Sequence, residues 1–500
     1  MPTARLATEV ELDKFRFHDI LFTSQNSPLR YATELLFRPM NRDENSMGSV
    51  FSTSREAIEA HQAGRWHVWF PSLLLCVVLT PAVRLPGAIP ARLDDLLVFG
   101  AATVLAARFL FGLRVPRLDQ VFCYTLLVVG TILLSTFLAP AGFGVTAKDY
   151  LDCLRPIKFF LVYMLVKDSD PAQSMRTFIR VMSNLAFILL PMACAEMFFA
   201  RVAPGGLLVR FFSLFTEKSP DLLLDMMATR PFATFNTPPD LGYVACVCLF
   251  AGPLMAPARR RKIVVAAFFL ILLITASRMF LFSLPLLILL QAALRARSVG
   301  EALKRLRLSM ILILAAATSS IVLLPLISPH AAEFTKSMIT AVATGDTGDE
   351  YSITTRLANL SLVDYTWERA PALGVGTRAL LPDYVDSELI LTFHRYGLCG
   401  LAALLLIYPL GFRLARHIAG THRDIYQLTV ISLVTTFLAG ITLGALDNSR
   451  TGVLLMVILG IAGGIRDREL ACSGPSGTLD RICNETSTSK CGEPGNIRWR

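Results

Sequence analysis

Residues 386–400 read DSELILTFHRYGLCG and open a long apolar run. Two carboxylates, Asp386 and Glu388, stand where the run begins, and His394 and Arg395 follow two turns further along it. Ionisable side chains inside an apolar span cost free energy and are usually functional. This stretch therefore predicts a membrane helix that carries a functional site.

The composition of the whole chain is that of a membrane protein. Hydrophobic residues make up 54% and charged residues 17% of the 500 residues, and the mean hydropathy is +0.54. A water-soluble core of this length cannot hide so much apolar surface. The net charge of +10 is spread over short basic clusters between apolar segments, as orientation signals are, so no nucleic-acid partner is expected. The cysteines lack metal-ligand spacing, and neither a metal nor another cofactor is expected.

About twelve apolar segments have the length that crosses a hydrocarbon core, roughly 17 to 25 residues. One of them is Leu389–Leu410. The sequence thus predicts an all-α fold: a polytopic membrane helical bundle of about twelve transmembrane helices over residues 66–466. A flexible cytosolic segment, 1–65, is expected before the bundle, and a disordered cytosolic tail, 467–500, after it.

Basic residues are concentrated in alternate connections between the apolar segments, as in the run Arg259–Lys262. The positive-inside rule places these connections, and both termini, in the cytosol. The two long connections, 201–240 and 328–385, then fall on the outer side, which is the periplasm of a bacterium. Connections of this length in a compact fold tend to be functional.

Several basic residues are expected on this outer side. Arg155 and Lys158 begin the fourth predicted span, Arg230 lies in the loop RPFATFNTPPDLG, and tight outer turns hold Arg278 and Arg450. These side chains are candidates to bind an anionic substrate. The alternative interpretation is an interface anchor that snorkels to the membrane surface or, for Arg230, a solvated loop charge.

The order of these segments resembles the O-antigen polymerase and ligase superfamily. The relevant stretches between Asp94 and Ile465 are LRPIKFFLVYML, RPFATFNTPPDLGYVACV, ITASRMFLFSLPLLIL, TTRLANLSLVDYTWERAPALGVG and DSELILTFHRYGLCGL. The resemblance implies a GT-C type glycosyltransferase architecture in the bacterial inner membrane. It implies transfer of glycan from undecaprenyl diphosphate at the periplasmic face of the lipid bilayer, with a chain-length regulator of the same pathway as a candidate partner.

One departure from the ligase pattern favours the polymerases of the superfamily, which make exopolysaccharide or O-antigen. Ligases typically carry His-Asn where this chain has Asp386 and Ser387, whereas Tyr396, Gly397 and Gly400 are intact. Polymerases often have an acidic residue at that position. Two alternatives stay open: a ligase that delivers a finished glycan to a lipid or protein acceptor, and a polysaccharide-related transporter or flippase.

The chemistry of such a transfer indicates which side chains are needed. Negative charge grows on the diphosphate as the glycosidic bond breaks, and arginine balances it with rigid, bidentate, permanently charged donors. No convincing Asp-x-Asp metal-ligand pair is found on the outer side, so metal-independent transfer is expected. The predicted substrate-binding residues are Arg230, Arg278 and Arg356, with Arg155, Lys158, Arg450 and Arg395 as further members.

A second group takes the proton of the acceptor hydroxyl. On a regular helix Asp386 and His394 share one face, with His394 roughly 12 Å deeper, and Glu388 points about 200° away from Asp386. All three are candidate catalytic residues, with Asp386 the first. The alternative role of Asp386 is an N-terminal helix cap. The alternative role of His394 is that of a polar residue paired with a neighbouring helix.

Overall fold

The chain divides into two compact units, Met1–Gln62 and Ala63–Arg500. The computed structural model describes residues 70–80, 83–85, 89–91, 93–110, 118–138, 153–204, 206–213, 224, 227–228, 230–235, 237–254, 258–275, 277–296, 298–327, 333, 336, 340, 344, 351–376, 385, 387–442 and 449–472. All of them belong to the second unit. The predicted segment 1–65 and most of the predicted tail lie outside the described residues.

The described secondary structure is helical apart from one antiparallel hairpin, β1 (Val83–Leu85) and β2 (Ile89–Ala91). The helices are α1 (Phe70–Leu79), α2 (Leu93–Leu110), α3 (Gln120–Leu138), α4 (Leu154–Asp168), α5 (Pro171–Val202), α6 (Leu207–Ser213), α7 (Pro238–Ala251), α8 (Ala258–Thr275), α9 (Arg278–Arg295), α10 (Val299–Ile327), α11 (Tyr351–Arg369), α12 (Glu388–Leu405), α13 (Ile407–His417), α14 (Arg423–Thr442) and α15 (Ser449–Cys472). A short 3₁₀ turn, Gly252–Leu254, follows α7. Because α15 continues to Cys472, the first residues of the predicted tail are helical.

By length and composition, four helical stretches of the described part could cross a membrane: Gln120–Leu138, Pro171–Val202, Glu388–His417 and Arg423–Ile441. The third of these stretches comprises α12 and α13. Shorter apolar helices accompany them, and large hydrophobic side chains are exposed along several helices. So many exposed large hydrophobic side chains are unusual for a soluble monomer. The all-α prediction is confirmed, and the apolar helices indicate a membrane protein.

α15 is the centre of the bundle. All residues from 451 to 465 are buried, as expected for a helix that is apolar on every side. Its closest neighbour is α4, because glycines allow the two backbones to approach. A Cβ added at Gly460 would lie 2.8 Å from Val166, and one added at Gly464 would lie 3.0 Å from the Lys167 carbonyl. This contact fixes α4, which carries Arg155, against the core.

Candidate functional site

α12 consists of two helical segments that meet at Gly397, and in this it differs from the continuous span predicted over Leu389–Leu410. Gly397 has φ +64° and ψ −161°, a region that is open to glycine and strained for other residues. A Cβ at this position would lie 2.4 Å from the Ala372 carbonyl. The break therefore depends on close approach by a distant loop, residues 371–376.

This loop takes up the hydrogen bonds that the break releases. The Val375 N–H donates to the His394 carbonyl at 2.9 Å, and the Gly376 N–H donates to the Arg395 carbonyl at 3.1 Å. The first two N–H groups after the break donate in return to loop carbonyls, at 2.8 and 3.0 Å. Ser135 of α3 adds a hydroxyl bond of 2.8 Å to the Arg395 carbonyl. The interrupted backbone is thus satisfied by protein groups, as irregular backbone at membrane depth must be.

The chain also reverses direction at the break. Oε2 of Glu388 and the hydroxyl oxygen of Tyr408 both lie next to Gly440. A Cβ placed on Gly440 would lie 3.4 Å from the first oxygen and 3.9 Å from the second, so the two oxygens are separated by at most the sum of these distances. Twenty residues of continuous helix would separate them by about 30 Å. Residues 388–408 therefore form a helical hairpin, here called the Gly397 hairpin after the residue at its tip.

A cleft lies between the Gly397 hairpin, α3, α4 and α15. It encloses about 740 Å³ of empty volume, including open solvent at its mouth, and its lining is largely apolar. We call it the central cleft. The polar and aromatic side chains that line it include Tyr124, Thr131, Arg155, Glu388, Arg395 and Tyr396.

The central cleft brings together three of the residues that the sequence singled out. Glu388 and Arg395 are seven residues apart, so they share one face of the first hairpin segment and are separated by about 10 Å along it. Glu388 is 3% exposed and interacts electrostatically with the hydroxyls of Tyr124 and Tyr408. Arg395 and, from α4, Arg155 are half-buried in the same lining. The cleft thus contains one buried carboxylate, that of Glu388, and two half-buried guanidinium groups, those of Arg155 and Arg395.

His394 lies on a different face of the hairpin segment, towards α11. It is fully buried, its Nδ1 is 2.8 Å from the Thr366 hydroxyl of α11, and its ring stands 6.2 Å from that of Tyr365. It does not line the central cleft. The observed arrangement corresponds to the alternative interpretation, in which His394 pairs with a neighbouring helix.

The N-terminus of α12 is capped by Ser387, whose hydroxyl accepts the Ile390 N–H at 3.4 Å. The capping role considered for Asp386 stays a prediction beside this observed cap. Asp386 itself lies outside the described residues, and its catalytic role stays a prediction.

Lys158, a predicted substrate ligand, is instead buried in an ion-pair cluster. Its Nζ lies 2.6 Å from Oδ2 of Asp94 and also contacts Asp95. The cluster ties α4 to the first turn of α2. Lys158 does not line the central cleft.

Two predicted arginines hold the loop 230–235 in place. The Arg230 Nε donates to the Thr275 carbonyl at 3.2 Å. Arg450 is 2% exposed, donates to the Thr234 carbonyl, and lies over the Phe235 ring at 5.0 Å. Neither lines the central cleft. The side chains of Arg278 and Arg356 lie outside the described part of the chain.

The sequence reasoning missed a carboxylate that holds the same loop. Glu196 of α5 is fully buried and accepts the backbone N–H groups of Phe232 at 3.1 Å and Ala233 at 2.6 Å. Ala233 has φ +50°, which turns successive N–H groups towards one anion. The available signal was an ionisable residue inside an apolar span.

No protein-family model matches the chain, and a search of curated proteins returns no match. Among the described residues, no group of three or more His, Cys, Asp and Glu side chains is arranged to hold a metal ion. The central cleft, with its lining of Arg155, Glu388 and Arg395, is the basis for a functional proposal.

Proposed function

We propose that the chain is a membrane glycosyltransferase that polymerises polysaccharide, moving glycan from an undecaprenyl-diphosphate-linked donor to a glycan acceptor. The supporting observation is the central cleft, in which Arg155, Arg395 and Glu388 project into a largely apolar lining. An apolar wall suits a polyprenyl chain, cations suit its diphosphate, and a carboxylate suits an acceptor hydroxyl. One cleft offers all three.

Arg155 and Arg395 are the proposed ligands of the diphosphate. They come from different elements, α4 and the Gly397 hairpin, so they can contact the group from two directions. Charge interactions are stronger in a cleft of low dielectric than in water. Two fixed guanidinium groups would stabilise the charge that develops on the leaving diphosphate.

Glu388 is the proposed base. The acceptor oxygen forms the new bond to the anomeric carbon while its proton passes to the Glu388 carboxylate. The bond from the anomeric carbon to the diphosphate oxygen breaks, and its electron pair leaves with the lipid diphosphate. The separation of about 10 Å between Glu388 and Arg395 along the helix leaves room for a sugar residue between base and leaving group. Asp386 is the second candidate base.

The proposal includes an arrangement in the bacterial inner membrane. In this arrangement about twelve helices of a GT-C type fold cross the membrane. Both termini lie in the cytosol, and the connections 201–240 and 328–385 lie in the periplasm. The alternation of basic connections supports it. Reporters fused after Arg260 and Arg416 should then be cytosolic, and reporters within 328–385 should be periplasmic. A cytosolic signal from that connection would remove the periplasmic reaction.

Two alternatives use the same cleft. Ligase-type transfer to a lipid or protein acceptor needs the same groups, and only the acidic residue Asp386 favours a polymerase over it. A transporter or flippase is favoured by one observation, the broken helix at Gly397 beside the buried Glu388, because discontinuous helices often bind substrates in transporters. Four backbone groups at this break, however, are bonded to loop 371–376 and are therefore occupied by protein rather than by a substrate.

Chain extension by the purified protein in detergent tests the proposal. Lipid-linked repeat units serve as donor and acceptor, and a glycosyltransferase lengthens them covalently without a sealed membrane, whereas a transporter leaves their length unchanged. Glu388→Gln should lower extension by about 100-fold or more, and Arg395→Lys should also lower it because the bidentate fork is lost. Arg416→Gln, an exposed change outside the cleft, is the matched control. Wild-type extension by Glu388→Gln would rule out Glu388 as the base.

Cells that lack the protein separate the two enzymatic alternatives. Loss of a polymerase should leave single repeat units on the acceptor lipid. Loss of a ligase should leave long chains on the polyprenyl carrier.

A further inference from the structure

A second pocket lies where several helices end, next to the last turn of α4. It encloses about 480 Å³ of empty volume, including open solvent. We call it the boundary pocket. Its polar lining residues are Asp119, Gln120, Tyr163, Arg413, His417 and Arg466, and leucines of α13 and α15 complete it.

The floor of the boundary pocket is a closed ion network. Asp119 accepts hydrogen bonds from Tyr163 at 2.5 Å, Lys167 at 2.9 Å and Arg466 at 3.2 Å. Asp467 contacts both cations, at 2.9 Å from Lys167 and 2.7 Å from Arg466. Two carboxylates therefore balance two cations, and the floor carries no excess charge.

The rim of the pocket carries a guanidinium group and an imidazole ring without such balance. Arg413 and His417 are exposed, one helical turn apart on α13, and both line the pocket. No ion pair or hydrogen bond joins either side chain to another residue of the described part of the chain. An Arg offers a planar set of donors, and a His offers an N–H in either protonation state. The rim thus presents donors and positive charge for an anion.

The position of the pocket indicates which anion. It lies beside Arg466, the residue at which the buried stretch 451–465 of α15 ends. Phe412, which precedes Arg413 in the chain, is 40% exposed, and Leu470, which lines the pocket, is 57% exposed. An anion at the rim would therefore have an exposed apolar surface beside it, which a free phosphate does not need and an acyl chain does.

We propose that the boundary pocket binds the phosphate of an anionic lipid headgroup. Arg413 and His417 hold the phosphate at the rim, and the acyl chains lie along the exposed apolar surface that includes Phe412 and Leu470. Basic pockets between transmembrane helices are known to suit such headgroups. The site is separate from the central cleft and does not depend on the proposed glycosyl transfer.

Lipid titration of the purified full-length protein in detergent tests this site. Affinity for phosphatidylglycerol is compared with affinity for phosphatidylcholine, which has no net charge. Wild type should prefer phosphatidylglycerol, and Arg413→Gln should weaken its binding about fivefold, as loss of one basic residue near a lipid surface does. The double variant Arg413→Gln and His417→Gln should weaken it further. Both positions are exposed, so the fold should persist, as an unchanged elution profile would show.

Arg416→Gln is the matched control, because Arg416 is exposed on the same helix and does not line the pocket. It should keep wild-type affinity. An equal loss in Arg416→Gln, or no loss in the double variant, would overturn the proposal in favour of general attraction to the basic surface. The last measurement adds inorganic phosphate as a competitor of the bound lipid. Displacement of phosphatidylglycerol by millimolar phosphate would assign the pocket to free phosphate and overturn the lipid assignment.

Discussion

Gly397→Ala tests whether the reversal of α12 is specified by the sequence. At φ +64° and ψ −161°, a residue with a Cβ is strained by about 1–3 kcal/mol. The added Cβ would also lie 2.4 Å from the Ala372 carbonyl and 2.5 Å from the Gly374 nitrogen. These are backbone atoms that cannot rotate away, and overpacking costs about 1–3 kcal/mol. The free energy of unfolding should therefore fall by roughly 2–6 kcal/mol.

The assay is unfolding of the purified protein by sodium dodecyl sulfate in mixed micelles, followed by circular dichroism. Gly130→Ala is the matched control, because Gly130 lies within α3, which packs on the Gly397 hairpin, and nothing lies within 4 Å of an added Cβ. Alanine should stabilise that helix by about 0.5–1 kcal/mol. Gly374→Ala should behave like Gly397→Ala, since its Cβ would lie 2.5 Å from the Arg395 carbonyl oxygen.

One result would refute this reasoning directly. If α12 were a continuous helix through Gly397, alanine would stabilise it, and the variant would resemble Gly130→Ala. A gain or no change in the free energy of unfolding for Gly397→Ala would therefore reject the hairpin. The proximity of Glu388 and Tyr408, which both lie near Gly440, would need revision with it.

Three further predictions concern charges that the fold buries. Lys158→Met leaves the buried carboxylate of Asp94 without its cation, so stability in the same detergent titration should fall by about 3–5 kcal/mol. Unchanged stability with loss of polymer would indicate substrate binding instead. Glu196→Leu leaves two backbone N–H groups unpaired, at about 1–3 kcal/mol each, and Glu196→Gln, which keeps an acceptor, should cost less. Burial raises the pKa of Asp119, but hydrogen bonds from Tyr163 and Lys167 and the Lys167 charge outweigh it, so the net pKa lies below the ordinary value. The stability from Asp119 is complete above about pH 4 and is lost as pH falls below that, so melting curves of Asp119→Asn should depend less on acid pH.

The fold class could be predicted from the sequence because it depends on hydropathy and length, which are local properties. The break in α12 could not, because it depends on residues far away in the chain. Gly397 is one of several glycines in apolar runs, and only contact with loop 371–376 gives it a positive φ. Periodicity counted from Asp386 also assumed that the helix begins at that residue, whereas it begins at Glu388.

Residue type identified Arg155, Glu388 and Arg395 as candidates, but it did not predict that they line the same cleft. The spacing between Glu388 and Arg395 is visible in the sequence as i and i+7, which share a helical face. That spacing was overlooked because the helix was counted from Asp386. The partners of Lys158 and Arg450 are more than sixty positions away, and no local pattern identifies them. Arginine and lysine side chains at helix ends can either bind a ligand or form structural contacts within the protein. Only their long-range contacts distinguish these two roles.

The way in which the Gly397 hairpin is held favours catalysis over transport. Alternating access would require this hairpin to move, and movement would break the bonds between its tip and loop 371–376 as well as the bond from Ser135. Each intramolecular hydrogen bond contributes about 0.5–1.5 kcal/mol net, and a buried group left unpaired costs more. The close approach of Gly374 and Gly397 adds a steric constraint against sliding. A hairpin fixed in this way keeps Glu388 and Arg395 in constant positions relative to Arg155 of α4, which lines the same cleft, and constant placement of charged groups is what stabilises a transition state.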